Sequence, residues 1–408
     1  MPRPFSVLIS GASIAGPVAA YWLERYGCDV TVVEQAPSLR ASLGGHAVDL
    51  FGPAVDIAEW MGLLPEILDA RTRTDVLTFE RPNRSPIDVD YATITKGISE
   101  RAVEIMRGEL AAMLYRVTMG GVEYVFGDSV SAISDSGDGV TVEFEHGAPR
   151  RFDVVVGADG LHSNVRRLAF GEESQFRRYL GGYFSVFSLP NYLGLVGQMR
   201  IYTMPGKVVG IYPVHQTGQA RAVLLFRRPV EVVYDHGNTN QQKDLVRLVF
   251  GDEGWEIPRL LDEMDQSGDF YLDSISQIRM SSWSKGRVTL TGDAGYSPGA
   301  AVGGGTTFAV VGAYVLAGEL SSERADPARG FRNYESRMRE PILRSRSIGP
   351  AVLRRVIPRA PGEVWLAAQM LRVFPRLPAR VQRGISALQG GPARALASIE
   401  LVRYPTAR

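Results

Sequence analysis

Two β-rich, mainly apolar runs open the chain, "FSVLIS" at residues 5–10 and "DVTVVE" at residues 29–34. Continuous apolar runs of this length predict strands covered on both faces, as in a parallel sheet. Between them, "AAYWLERYG" carries its apolar residues at helical spacing and stops at Gly27. The pattern is strand, turn, helix, strand. A similar apolar strand precedes Gly157-Ala158-Asp159-Gly160 in "RRFDVVVGADGLHSNVRRLAF", followed by a helix capped by Ser163. A third strand ends at Gly292-Asp293 in "KGRVTLTGDAGYSPGAAVGGGTTFAVVGAYVLAGEL", with a helix starting near Thr306.

Elsewhere the rhythm changes to alternation. "TDVLTFERPNRSPIDVDYAT" and "YFSVFSLPNYLGLVGQMRIYTMPGKVVGIYPVHQTGQARAVLLFRR" read as antiparallel strands, with "MPGK" and "HQTGQ" as turns. After residue 330, "FRNYESRMREPILRSR" predicts a long basic helix broken near Gly349-Pro350. "EVWLAAQMLRVFPRLPARVQRGISAL" adds more helix, interrupted by two prolines. The fold class expected is α/β. A discontinuous Rossmann-like domain spans 1–78, 100–175 and 272–328, an antiparallel-sheet domain 79–99 and 176–271, and a helical region 329–408.

At 408 residues, with 45% hydrophobic and 22% charged residues, the composition is that of an ordinary globular chain of about two domains. A net charge of +1 gives no overall attraction to nucleic acid. Charge is unevenly spread: residues 331–408 hold 15 Arg against 4 Glu, with no Lys or Asp. That face is solvated, internally paired, or turned toward a partner or anionic lipid. The single Cys28 excludes an internal disulfide and reads as a small packed residue in a reducing cytoplasm. The five histidines, at 46, 146, 162, 215 and 236, show no metal-ligand spacing. The N-terminal apolar stretch mimics a signal peptide, but Gly11, Ser13 and Gly16 interrupt it. No run approaches the length of a membrane span, so the expected location is the cytoplasm.

The first turn, "GASIAG", carries the chemistry. Gly11 permits a sharp exit from the strand, and Gly16 lets the helix pack closely. Pro17 is tolerated where helix amides have no intrahelical partner anyway. Those amides and the helix dipole favour an anion such as a dinucleotide pyrophosphate. Glu34 closes the second strand 23 residues after Gly11, where an acid accepts ribose hydroxyls and disfavours a 2′-phosphate. Ser13 replaces the middle glycine of the Gly-x-Gly-x-x-Gly pattern. On this turn alone the ligand stays undecided.

The three glycine signatures in this order resemble the para-hydroxybenzoate hydroxylase family of single-component FAD-dependent aromatic hydroxylases. "RASLGGHAVDLFGPAVDIAEWMGL", "ISERAVEIMRGEL" and "DFYLDSISQIRMSSWSKGRVTLTGDAGY" are similar to its bacterial polyketide and antibiotic hydroxylases, including the tetracycline-inactivating monooxygenases. The resemblance covers at least residues 5–345. It implies that Gly11, Ser13, Ile14, Ala15 and Gly16 line the FAD pyrophosphate, with Glu34 and Gln35 at the adenosine ribose. Arg107 would contact the phosphate–ribitol region, Asp159 both FAD and NAD(P)H, and Gly292 and Asp293 the ribitol. The backbone of Gly303, Gly304, Gly305 and Thr306 would face the pyrimidine end of the flavin. Asp49 would be a cofactor contact and Arg40 a candidate for NADPH. The sequence departs from the family where Ala300 replaces a common Pro and Gly303-Gly304-Gly305 a common Gly-Gln-Gly.

By the same resemblance, NADPH or NADH binds transiently, reduces FAD, and O₂ forms a flavin C(4a)-hydroperoxide that hydroxylates an aromatic or polyketide-like molecule. No second glycine turn exists for a resident nicotinamide. Phe184, Phe187, Met199, Tyr212 and His215 are candidates for the substrate wall. No catalytic acid or base stands out, and the chain is expected to be a monomer or homodimer. Three other readings stay open: a same-fold prenyl-lipid reductase, a flavin halogenase, and a redox-inert flavin-binding regulator. The halogenase motif is incomplete, since only Trp255-Glu256-Ile257-Pro258 is present.

Overall fold

The computed structural model describes residues 4–39, 45–82, 84–91, 99, 101–300, 303–373 and 399–405. Its first layer is a six-stranded sheet, in the order Ser284–Lys285, Val288–Leu290, Val154–Gly157, Phe5–Ser10, Cys28–Glu34 and Glu123–Phe126. All pairs are parallel except the short Ser284–Lys285 edge. The apolar runs of the sequence account for this. Val7, Leu8, Ile9, Val154, Val155 and Val156 are wholly buried, as strands covered on both faces must be.

Helix Ala15–Arg25 and helix Gly305–Ser322 cover one face and cross with Trp22 edge-on to Tyr314, ring centroids 4.9 Å apart. The second helix is apolar nearly all round, so it is clamped between the first helix, helix Gly52–Trp60 and helix Pro327–Val356. An antiparallel meander of Val130–Asp135, Val140–Phe144 and Arg150–Phe152 precedes the third parallel strand. A two-stranded ribbon, Ala47–Phe51 with Ala102–Met106, completes this unit.

The second layer is a seven-stranded sheet, in the order Tyr271–Ile278, Arg177–Pro190, Gln219–Arg227, Lys207–Val214, Gln198–Met204, Val76–Glu80 and Ile87–Asp90. Its membership shifts two expected boundaries. Val76–Glu80 begins before residue 79, and Tyr271–Ile278 belongs to this sheet although 272–328 was expected in the first unit. The back of the sheet is covered by helices Thr239–Phe250 and Ile257–Gln266, whose apolar sides pack on Phe187, Leu224 and Phe226.

Helix Pro327–Val356 runs unbroken through Pro341 and Pro350, contrary to the expected break. Pro350 removes the amide that would reach the carbonyl of Arg346. The side chain of Gln277 donates to that carbonyl at 2.9 Å instead, so the helix continues. Helix Pro361–Val373 follows; the later part of the proposed helical tail lies outside the described residues. Residues 399–405 return to the first unit. Tyr314 donates to the carbonyl of Val402 at 2.7 Å, and Tyr404 donates to the buried Glu319 at 2.7 Å.

Candidate active site

Three glycine motifs, far apart in the chain, meet at one edge. The strands Phe5–Ser10, Val154–Gly157 and Val288–Leu290 are neighbours in the sheet, and each runs into its motif at the carboxyl end. That end of an open parallel sheet is where such folds bind ligands.

The first turn is closed by backbone contact. Gly11 has φ +107°, and a Cβ there would lie 2.5 Å from the Ala158 carbonyl oxygen. A Cβ on Gly16 would lie 1.9 Å from the Gly11 carbonyl oxygen, so only glycine fits. Ser13 has room and a partner: the Arg107 guanidinium donates to its hydroxyl from Nε at 3.2 Å and from Nη2 at 3.0 Å. Glu34 reaches back across the turn. Its carboxylate accepts from the amide of Ala12 at 2.9 Å and from its neighbour Ala36 at 2.9 Å. Ile14 and Ala15 are buried at the helix entry, and Gln35 is exposed. Arg40 lies outside the described residues.

Helix ends distinguish the motifs. The helix Ala15–Arg25 begins without a side-chain cap, and so does Gly305–Ser322, whose cap position is Gly304 at φ +80°. Their first-turn amides have no intrahelical acceptors and suit an anion or a polar ring edge. Among the described residues, added Cβ atoms on Gly303 or Gly305 would meet nothing within 4 Å, which suits close approach by a ligand. Helix Asn164–Phe170 differs: Ser163 caps Arg166 N at 3.0 Å. Asp159 serves this same cap, accepting from the Ser163 hydroxyl and from Val165 N at 3.0 Å. Burial pushes its carboxyl up nonetheless.

Asp293 follows Gly292, which takes φ +61°. Its side chain reaches open space, yet burial is the main cause that raises its carboxyl, while Ser297 and the Arg107 charge oppose the rise. A Cβ on Gly292 would lie 3.2 Å from the Ala15 Cβ and 3.5 Å from the Ala309 Cβ, and Arg107 is bonded to Ser13, so Asp293 and Arg107 flank the same recess between the first turn and helix Gly305–Ser322. These donors and acceptors fit FAD: two uncapped helix N-termini for the pyrophosphate and the pyrimidine edge, Glu34 for a ribose, Asp293 and Arg107 for the chain between.

The ribbon Ala47–Phe51 with Ala102–Met106 connects this recess to the second sheet. Arg107 N donates to the His46 carbonyl at 3.2 Å, and the Tyr212 hydroxyl oxygen accepts from Ala47 N at 3.0 Å. Burial, then the Arg107 charge, lowers the His46 imidazole to about 4, so it is neutral near pH 7. Asp49 stands opposite Glu104 across the ribbon. Burial and the Glu104 charge push Asp49 up to about 7. Thr307, one residue past the expected Thr306, pins the helix start to the ribbon: its hydroxyl accepts from Phe51 N at 3.0 Å and donates to the Asp49 carbonyl at 3.3 Å.

The candidate substrate wall divides. Phe184 faces the first unit, 5.8 Å ring to ring from His46. Met199 and Tyr212 pack with Met106 and Ala47 across the same boundary. Phe187 does not join them. It lies three residues beyond Phe184 on an alternating strand, so it faces the opposite side, 1% exposed among Leu224, Phe226 and Leu261. His215 lies in an exposed turn beyond strand Lys207–Val214, outside the wall.

Two groups escaped the sequence reading. Tyr271 lies 5.6 Å from Phe184 and donates to Asp273 at 2.8 Å. Arg166, fully buried, donates to Ala294 O at 2.9 Å, Leu161 O at 2.7 Å and Glu173 at 2.8 Å, joining the second and third motifs. The polar i, i+2 pair Tyr271 and Asp273 in a buried strand was the available signal. Cys28 is buried and its thiol is pushed up by burial, as a packed residue should be.

Comparison with known proteins identifies the family and the fold. The FAD binding domain family matches residues 5–339. An uncharacterized protein of Mycobacterium tuberculosis is 43% identical over 333 residues, 81% of this chain and 89% of that one. A flavin-dependent monooxygenase of an unknown prokaryotic organism is 34% identical, covering 99% of this chain and all of its own. The crystal structure of tetracycline destructase Tet(55) superposes with a TM-score of 0.84 at 33% identity, covering 99% of this chain and 100% of that one. The chain belongs to the FAD binding domain family and is an FAD-dependent monooxygenase of the para-hydroxybenzoate hydroxylase type.

Proposed function

We propose that this chain uses NADPH or NADH and O₂ to hydroxylate an aromatic or polyketide-like small molecule. The observation that carries the reading is the convergence of the three glycine motifs at the carboxyl ends of neighbouring parallel strands, with Arg107 bonded to Ser13 and the aromatic pair Phe184 and Tyr271 facing that side. FAD, when bound and reduced, supplies oxygen activation at its C(4a) carbon. The protein's own residues do the rest. Amides of the first turn and of the Gly303–Gly305 loop hold the cofactor's charged and polar edges, and Glu34 and Asp293 accept from its hydroxyls. Arg107, tied to Ser13, supplies positive charge beside the phosphate–ribitol chain. The sheet excludes water, which such chemistry requires.

The nicotinamide has no glycine turn of its own, so it meets the flavin transiently, with Arg40 its candidate contact. Similarity to a tetracycline destructase supports a polycyclic substrate rich in phenol and enol groups. Halogenation is disfavoured because Trp255 stacks on Tyr202 at 5.2 Å behind the sheet, and Glu256 accepts from Tyr192 there. Among the described residues no helix is long and apolar enough to cross a membrane. The test is a screen of phenols, polyketides and tetracyclines for stimulated NADPH oxidation. Saturation of a prenyl lipid without O₂ uptake would favour the reductase reading instead.

A further inference from the structure

We propose that Tyr271 orients the substrate by accepting a hydrogen bond from one of its hydroxyl groups, because the proton of Tyr271 is committed to Asp273. The inference rests on the reading that this recess receives the substrate. It follows from donor and acceptor directions along a chain of side chains that runs from the surface to the recess.

The chain begins at His162, whose Nδ1 lies 3.1 Å from Glu173 and whose Nε2 lies 3.2 Å from Asp273. An imidazole between two carboxylates donates from both nitrogens and is cationic; these bonds hold its pKa at about 9, against the opposing effect of burial. Asp273, 2% exposed, also accepts from the amide of Ser274 at 2.7 Å. Its carboxyl is held below the usual range by His162 and Tyr271, in spite of burial. A carboxylate only accepts. Tyr271 must therefore donate its single proton to Asp273, and only the lone pairs of its oxygen remain for a ligand.

Tyr271 is in the right place to use them. The residue is 43% exposed, and its ring lies 5.6 Å from Phe184, which lies 5.8 Å from His46, whose carbonyl accepts from Arg107 N. It therefore opens into the recess beside Arg107 rather than onto the outer surface. A ligand presenting O–H or N–H is accepted there, and one presenting only an ether or carbonyl oxygen meets a lone pair.

The same cluster invites a second reading. Ligand atoms of His162, His236 and Asp273 lie within 4.8 Å of one another, close enough to suggest a cation site. With both nitrogens protonated, His162 has no lone pair to offer a metal. Positive charge is already supplied by Arg166 on Glu173 and by Arg177 on Glu173 and Glu231. The directional reading accounts for these contacts without an added ion.

The experiment compares 2-naphthol with its methyl ether, 2-methoxynaphthalene, as ligands of the FAD-loaded enzyme, by calorimetry and by the change in flavin absorbance. The wild type should bind the naphthol roughly 10-fold more tightly, the worth of one hydrogen bond of about 1.4 kcal/mol. Tyr271→Phe should retain FAD and reduce that preference to within about 2-fold. A purely steric penalty on the methyl group would persist in this variant and contradict the proposal. Asp273→Asn offers an amide N–H to the Tyr271 oxygen and frees the phenol proton toward the recess, where either probe's oxygen can accept it, and should reduce the preference to within about 2-fold. Equal binding of the two probes by wild type overturns the proposal alone. Binding of neither probe also overturns it. If the substrate screen still finds stimulated NADPH oxidation, the reading of the function survives that result; if it does not, both fall.

Discussion

Arg107 and Ser13 are joined by two hydrogen bonds, from Nε at 3.2 Å and Nη2 at 3.0 Å to one hydroxyl oxygen. A serine where the family pattern has glycine thus occupies a position with a partner 94 residues away. Its side chain fixes the direction of the guanidinium rather than merely crowding the turn. Ser13→Ala should weaken FAD binding about 3- to 10-fold, the worth of a solvent-screened hydrogen bond to a charged group. Arg107→Ala should weaken it further. Fluorescence titration of apoenzyme with FAD measures both, and affinities equal to wild type would contradict the role.

Gly16→Ala probes a different constraint. Its Cβ would meet a backbone oxygen at 1.9 Å, with no flexible side chain to give way. The variant should lose stability and FAD together, as shown by a lowered melting temperature and colourless protein. Retention of both would mean that the helix can retreat from the strand.

Phe184 and Phe187 should behave oppositely. Phe187→Ala removes a ring from the core behind the sheet and should cost about 3–5 kcal/mol of stability. Phe184→Ala should change ligand affinity more than stability, because Phe184 faces His46 and Tyr271. Denaturant unfolding and ligand titration of the two variants separate the faces.

Arg166 is the buried tie between two motifs. Arg166→Met leaves Glu173 and the carbonyls of Leu161 and Ala294 without that donor. Breaking such a pair typically costs about 3–5 kcal/mol, visible in denaturant unfolding. A variant as stable as wild type would show that these groups find other partners.

The His162 bridge gives stability a pH signature. Its pKa rises from 6.5 to about 9 on folding, so its contribution is complete below 6.5 and is lost as pH rises through 9. Asp273 and Glu173 are lowered, so theirs is present above their ordinary values and lost as pH falls below them. The melting-temperature gap between wild type and His162→Gln should therefore be widest near pH 6 and narrow toward pH 10. A gap that widens with rising pH would contradict the assigned bridge.

The parts legible in the sequence were those that constrain the backbone locally. Gly11, Gly16 and Gly292 mark turns where a side chain would collide or strain, and their flanking strands are mostly apolar and buried. The sheet face of Phe187 follows from the two-residue period of a strand, which apolar content alone does not carry. The tie between Gln277 and Arg346 that carries a helix past Pro350 spans 69 residues, and the contact of His162 with Asp273 spans 111. No local pattern encodes such pairs. They exist because strand Tyr271–Ile278 packs against a helix and a turn that lie far from it in the chain.

The most direct measurement of the central claim is turnover under ¹⁸O₂ with NADPH, using a compound that stimulates NADPH oxidation, followed by mass analysis of the product. Flavin-dependent hydroxylation predicts yellow enzyme, a product carrying one ¹⁸O atom from O₂, and loss of that product in Asp293→Ala together with weakened flavin retention. A product whose new oxygen comes from water, or hydrogen peroxide as the sole oxygen-derived product with every compound that stimulates oxidation, would contradict it.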